Sequence, residues 1–215
     1  MTIKLGKFKK LLRRMVKYVC KNPAVFVIAL ILIIMVIAYN ITMSNRKLEV
    51  DSASCKPLLE LIAQAESRGN YNAYFGNVSN SEIEFTKMSI SEVLNWQQKF
   101  VAEGSPSSAV GKYQIINSTL SGLVDELEID KSQAFDEPMQ DKFAIALLKR
   151  RGARALVNGD ISKEQFAAEV AKEWAGLPRI SGANPEQSYY DGDGLNKSLV
   201  GSKEVLQAVE EIQPE

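Results

Sequence analysis

The sequence predicts a mainly α soluble domain with a little β, an α+β fold, behind one N-terminal transmembrane helix. Three observations predict it: a run of twenty residues without a formal charge near the N-terminus, two capping-box signatures further on, and an apolar stripe at helical spacing that ends on a single acid. The 215 residues, 46% hydrophobic and 24% charged, suit one ordinary folded domain plus an appendage.

The formal charge of +0 conceals two opposite halves. Ten of the 26 Lys and Arg residues precede residue 49, where there is no acid, so the remaining 167 residues carry a net charge of −10. Between the halves runs Ala24 to Met43, AVFVIALILIIMVIAYNITM. At ~1.5 Å per residue it covers the ~30 Å of a bilayer's hydrocarbon. Lys4, Lys7, Lys9, Lys10, Arg13, Arg14, Lys17 and Lys21 precede it, and only Arg46 and Lys47 follow it closely. The positive-inside rule therefore makes residues 1–23 a basic cytoplasmic arm, 24–43 a single membrane span, and the acidic remainder periplasmic or virion-associated. A cleaved signal peptide fits less well, because its apolar core is only about 7 to 15 residues and a small-residue site should follow closely. The first such run, Ser52 to Ser54, lies well beyond the span. Orientation and contact with anionic lipid account for the arm, so no nucleic acid is expected as a partner. Cys20 and Cys55 flank the membrane on opposite sides and form no disulfide framework.

Residues 44–56 have no apolar period and read as a linker, leaving residues 57–215 as the folded domain. Leu58, Leu61, Ile62 and Ala65 fit a helix stopped near Gly69. The following stretch, Tyr71 to Met88, suggests loops and a small hairpin. Ser89 and Glu92 form a capping box for a helix closing on Gly104. The segment GKYQII, Gly111 to Ile116, reads as a short strand or loop before a helix that begins near Asn117 or Ser118. Asp136 as cap, Pro138 in the first turn and Gly152 at the end delimit another. Ser162 with Gln165 opens a helix from Lys163 to about Trp174, and a last one covers Lys203 to Ile212.

The chain contains no histidine. Ser/His/Asp and Cys/His nucleophiles are thereby excluded, as is the usual zinc hydrolase. With no phosphate-binding Gly pattern either, an enzyme built from this chain must move protons with carboxylates, and neither a metal nor a cofactor is expected. The run DGDGLN, Asp191 to Asn196, matches a calcium loop poorly and reads as a tight turn.

Glu66 stands four residues after Ile62 and eight after Leu58, so it continues the inward stripe. Burial and the negative end of a helix both favour the protonated carboxyl, the form a general acid needs. The competing reading places Glu66 at the stripe's edge, paired with Arg68 or a lysine in solvent. Trp96 and Trp174 fall within strong helix patterns and belong to the core.

Five fragments in order, AESRGNYNAYFG, SAVGKYQIINSTL, FDEPMQDKFAIALLKRRGARALVNGDI, EWAGLPRI and QSYYDGDGLNKS, resemble the lysozyme-like lytic transglycosylases of phages, of the lambda-endolysin type. The resemblance covers Leu58 to Leu199. It implies a lysozyme-like α+β fold whose cleft holds the glycan strands of peptidoglycan, with Glu66 as the catalytic acid. Tyr113 and Gln114 would line that cleft, the ring for sugar stacking and the amide for hydroxyls or acetamido groups. Tyr189, Tyr190 and Asn196 would close the far wall. The implied reaction cleaves the β-1,4 bond between N-acetylmuramic acid and N-acetylglucosamine and leaves a 1,6-anhydro end, for phage lysis or entry. A membrane-containing phage such as a cystovirus suits both anchor and domain. Two alternatives stand beside it: a hydrolytic muramidase, with Glu82, Glu84, Asp191 or Asp193 as second acid, and a non-catalytic membrane-anchored wall-binding protein.

Overall fold

The computed structural model describes residues 27–28, 31–37, 50 and 52–213. Contacts divide the chain into two compact units, 1–47 and 48–215. In the first unit Val27–Ile28 and Ile31–Ile37 are helical, with exposed apolar side chains. Among the described residues no helix is long and apolar enough to cross a membrane. The basic arm and the rest of the expected 24–43 span lie outside the described residues.

The second unit is mainly helical. Its α-helices are α1 (Lys56–Ser67), α2 (Ile90–Ala102), α3 (Asn117–Glu126), α4 (Glu137–Arg150), α5 (Ala153–Val157), α6 (Lys163–Val170) and α7 (Ser202–Glu210), with a 3-10 turn at Phe85–Lys87. The caps work as their residue types dictate. Ser89 accepts from the Glu92 N–H while Glu92 reaches back to the Ser89 N–H, and Ser162 and Gln165 do the same for α6. Asp136 accepts from the Met139 N–H to start α4, whose last turn carries Lys149 and Arg150. α1 stops where Arg68 and Gly69 take positive φ, 56° and 81°.

α1 packs on α7, α7 on α6, and α2 on α3. Leu58 and Ile62 of α1 join Phe143 and Leu147 of α4, Phe166 of α6 and Val205 of α7 in one core. Two residues of the segment expected as linker belong to it: Val50 and Cys55 are 3% and 0% exposed. A nonperiodic segment can still supply isolated anchors, and these two tie the approach to α1 into the fold.

The expected hairpin after α1 does not form. Only isolated bridges occur here, such as Tyr74 with Asn77 and with Val110. Asparagine side chains satisfy the loop instead. Asn70 Nδ2 donates to the carbonyls of Val78 and Asn80, and Asn80 Nδ2 donates to those of Asn72 and Ile83. Short side-chain amides compete with a β ladder for the same backbone groups, and here they win. Beneath the loop Trp96 contacts Tyr74, Phe85 and Phe100.

α6 ends at Val170, four residues short of the expected Trp174. The chain instead turns through residues 171–176. The Trp174 indole N–H donates to the Tyr113 carbonyl at 3.1 Å, so the ring is buried as expected, but in a turn rather than a helix. α5 was not legible in the sequence, because Gly152 reads as a terminator and yet serves as its N-cap at φ 103°.

Candidate active site

The site is built at the C-terminal end of α1. Ser67, fully buried, donates its hydroxyl to the Lys112 carbonyl at 2.6 Å and also contacts the Ala63 carbonyl at 3.2 Å. This fastens α1 to the turn Gly111–Gln114. The turn is held from the other side by Gln140 of α4, whose Oε1 accepts from the Lys112 N–H at 2.9 Å. The Lys112 ammonium is buried and does not face the cleft. It donates to Glu60 at 2.8 Å and to the Tyr71 hydroxyl at 3.2 Å, so its charge is neutralised within the scaffold.

Beside this clamp opens a cleft of about 700 Å³. Glu66, Gln114, Thr119, Arg151, Glu173, Gly176, Tyr190, Asp193 and Asn196 are among its lining residues. Glu66 is half-buried and, among the described residues, takes no partner from Arg68 or a lysine. Its Oε1 accepts the Gly176 N–H at 2.8 Å. Burial pushes the carboxyl up to about 7, and the Gly176 N–H opposes that rise only in part. Near neutrality, then, a large share of this acid holds its proton.

The other cleft acids are differently placed. Asp193 accepts from the Leu195 and Asn196 N–H groups and from the Asn196 side chain, interactions that hold it below its ordinary range. These bonds are the tight turn that DGDGLN predicts. Glu173 is engaged by Arg151, whose Nε and Nη2 lie 2.8 Å from its Oε2. Glu82, Glu84 and Asp191 are not among the cleft residues.

Of the residues expected to bind substrate, Tyr113, Gln114, Tyr190 and Asn196 line the cleft with Glu66. Gln114 sits at φ 47° and donates its side-chain amide to the Gly111 carbonyl at 2.9 Å, leaving its oxygen for a ligand. Tyr190 is exposed, its hydroxyl donating to the Lys172 carbonyl at 2.7 Å. Two expectations require correction. Tyr113 touches the cleft wall but is only 1% exposed, with its hydroxyl donating to Asp141 at 2.7 Å, so its ring offers no stacking face. The apolar packing around an aromatic in a short loop outweighed its use as a platform. Tyr189 is not part of the cleft wall. Its ring lies 5.5 Å from the Arg179 guanidinium and 6.0 Å from the Lys172 ammonium.

Sequence reasoning missed Gly176, Arg151 and Glu173. Gly176 lies within the motif EWAGLP, and the close approach explains the residue type. A Cβ there would stand 3.0 Å from both the Ala65 Cβ and Glu66 Oε1. Gly176→Ala should therefore displace the carboxyl by a few tenths of an ångström while the chain still folds, and slow ~10- to 100-fold any reaction that this carboxyl carries. Initial rates beside a melting curve check this.

The Endolysin family model matches residues 56–199 of the chain. A search of curated proteins finds no match. Among solved structures, bacteriophage lambda lysozyme complexed with a chitohexasaccharide is similar at 17% identity and a TM-score of 0.46, over 76% of this chain and 95% of that one.

Proposed function

Because the chain belongs to the endolysin family, we propose that it is a lytic transglycosylase that cuts the bond between N-acetylmuramic acid and N-acetylglucosamine, with Glu66 as its one catalytic acid and base. As a member of that family it is a lysozyme-like enzyme that degrades peptidoglycan. The observation that carries the finer reading is the isolation of Glu66. Among the described residues of the cleft, Glu66 is a carboxyl with no cation beside it and is pushed up to about 7 by burial, while Glu173 is tied to Arg151 and Asp193 to its own turn.

The chemistry follows from that asymmetry. Neutral Glu66 gives its proton to the glycosidic oxygen as the C1–O bond breaks, and the charge that develops at C1 is positive. The carboxylate so formed takes the proton from the C6 hydroxyl of the same sugar while that oxygen bonds to C1. Glu66 ends protonated and no water is consumed. One carboxyl is sufficient because the nucleophile belongs to the substrate, whereas a hydrolase normally requires two. Gln114, Asn196 and Tyr190 line the same cleft, which supports giving them the role of holding the glycan. They hold the sugar in reach so that the transfer is intramolecular.

The pH dependence has a definite sign. The active form is protonated Glu66, so cleavage should be near its plateau well below pH 7 and fall about tenfold per unit well above it. A pH–rate profile on purified peptidoglycan measures the descending limb. The mechanism itself is tested by digestion in ¹⁸O-labelled water. A transglycosylase leaves the new muramic ends unlabelled. Label at C1 would mean hydrolysis, and Asp193, the cleft acid held by its own turn rather than by a cation, would become the candidate base. A folded chain that releases nothing would support the wall-binding alternative.

The location belongs to the same reading. The charge-free run 24–43 and the eight cations before it support a single-pass anchor, with the N-terminus cytoplasmic and the enzyme periplasmic or carried on a virion, acting in lysis or entry. Alkaline carbonate extraction should leave the full chain in the membrane pellet, and its release would remove the anchor from the account.

A further inference from the structure

Arg151 is the C-cap of α4, and Glu173 lies in the turn that follows α6. The two are partners on the cleft wall, Nε and Nη2 converging on Glu173 Oε2 at 2.8 Å, with side chains 29% and 12% exposed. The reaction described above gives neither a role. Their position does. Glu173 stands three residues before Gly176, in a segment with no regular structure of its own.

Besides the Tyr190 hydroxyl on the Lys172 carbonyl, three ties fix that turn. The Trp174 indole donates to the Tyr113 carbonyl, the Leu199 N–H donates to the Gly176 carbonyl at 2.9 Å, and Arg151 grips Glu173. The first two are single hydrogen bonds between neutral groups. The third is a charge-assisted contact from two nitrogens of a planar guanidinium, which fixes direction as well as distance, and it is the one tie to α4. Half-buried, it is screened less than a surface pair.

We propose that Arg151 and Glu173 are a positioning pair, holding the 171–176 turn so that the Gly176 N–H stays aimed at the Glu66 carboxyl. The inference rests on reading Glu66 as the reacting acid. The pair acts through Gly176 and touches no reacting atom. Without it the turn relaxes, the amide leaves Oε1, and the carboxyl loses both its orientation and the one hydrogen bond that stabilises its charged form.

Charge and position can be separated, because they give opposite signs for one of the two partners. The charged groups of the cleft wall besides Glu66 are Arg151, Lys172, Glu173, Asp193 and Lys197. If the pair acted only through its field, Glu173→Ala would bare the Arg151 cation and move the titration of Glu66 down, whereas Arg151→Met would bare an anion and move it up. If it acts by position, both substitutions move it up.

The measurement is ¹³C NMR of the Glu66 side-chain carboxyl across pH in the full chain, assigned with Glu66→Gln. Glu173→Ala and Arg151→Met are both expected to raise the midpoint by ~0.5 pH unit or more. In cleavage assays they should lower kcat with KM little changed, and Arg151→Lys, which keeps the charge but not the fork, should fall between them and the parent. A downward or absent shift in Glu173→Ala overturns the proposal. Should that variant fail to fold, Glu173→Gln keeps the volume and is expected to show the same upward sign, with a downward or absent shift again decisive. The NMR titration does not require turnover, so an inactive parent would count against the glycosidase reading and leave the positioning inference to be judged by the shifts.

Discussion

Glu66→Gln is expected to lower peptidoglycan cleavage by ~10²- to 10⁴-fold and, at the same time, to make the folded chain more stable above neutral pH. The first effect follows from removing the group that, in the proposed mechanism, gives and retakes the proton. The second follows from linkage. In the unfolded chain this carboxyl titrates near 4.5, and in the fold near 7. Below 4.5 it is protonated in both states and contributes no difference. As pH rises from 4.5 to 7 the unfolded state ionises freely while the folded one resists, so stability is lost across that window and stays lost above it. The shift corresponds to at most about 3 kcal/mol. The amide of Gln retains the shape and cannot ionise. Thermal melts should therefore coincide for parent and variant near pH ~4 and separate near pH ~8, with the variant higher. Lost activity with no such separation would mean that Glu66 matters to the reaction but is not held protonated by its surroundings.

Gly111→Ala is expected to have the largest effect on folding. Gly111 has φ 79°, a conformation that strains a residue with a Cβ. The added atom would stand 2.3 Å from Gln140 Oε1, 3.0 Å from its Cδ and 3.2 Å from Phe135 Cε1. Gln140 cannot simply move aside. It is fully buried and uses its amide three times, accepting from the Lys112 N–H and donating to the carbonyls of Tyr71 and Phe135. Displacing it strands buried polar groups, each costing ~1–3 kcal/mol, on top of ~1–2 kcal/mol of backbone strain. With two such groups stranded the sum is roughly 3–8 kcal/mol, a large part of the ~5–15 kcal/mol that holds a domain together. Denaturant unfolding should show the midpoint falling sharply. Cleavage should fall with it, since the same turn presents Gln114 and accepts the Ser67 hydroxyl that fastens the helix of Glu66.

Signals confined to one turn of chain were legible in the sequence. The Ser89 and Ser162 capping boxes, the Asp136 cap and the place of Glu66 on the inner face of α1 depend on residues three or four apart, and each stands as read. What depends on distant partners was not. The amide that holds Glu66 comes from a residue 110 positions later, and Arg151 meets Glu173 across 22. Tyr113 looked like a platform because an aromatic beside a Gln in a cleft motif has that use. Only the fold shows its ring covered and its hydroxyl taken by Asp141. From Tyr71 to Met88 short alternation suggests loops and a small hairpin, while the Asn residues that replace the ladder carry the stronger signal.

The account turns on whether one carboxyl completes the reaction without water. Full-length chain should be incubated with purified peptidoglycan, and the released muropeptides identified by mass spectrometry. The account predicts 1,6-anhydromuramic ends, absent from the Glu66→Gln digest. Reducing muramic ends, heavier by one water, would contradict it.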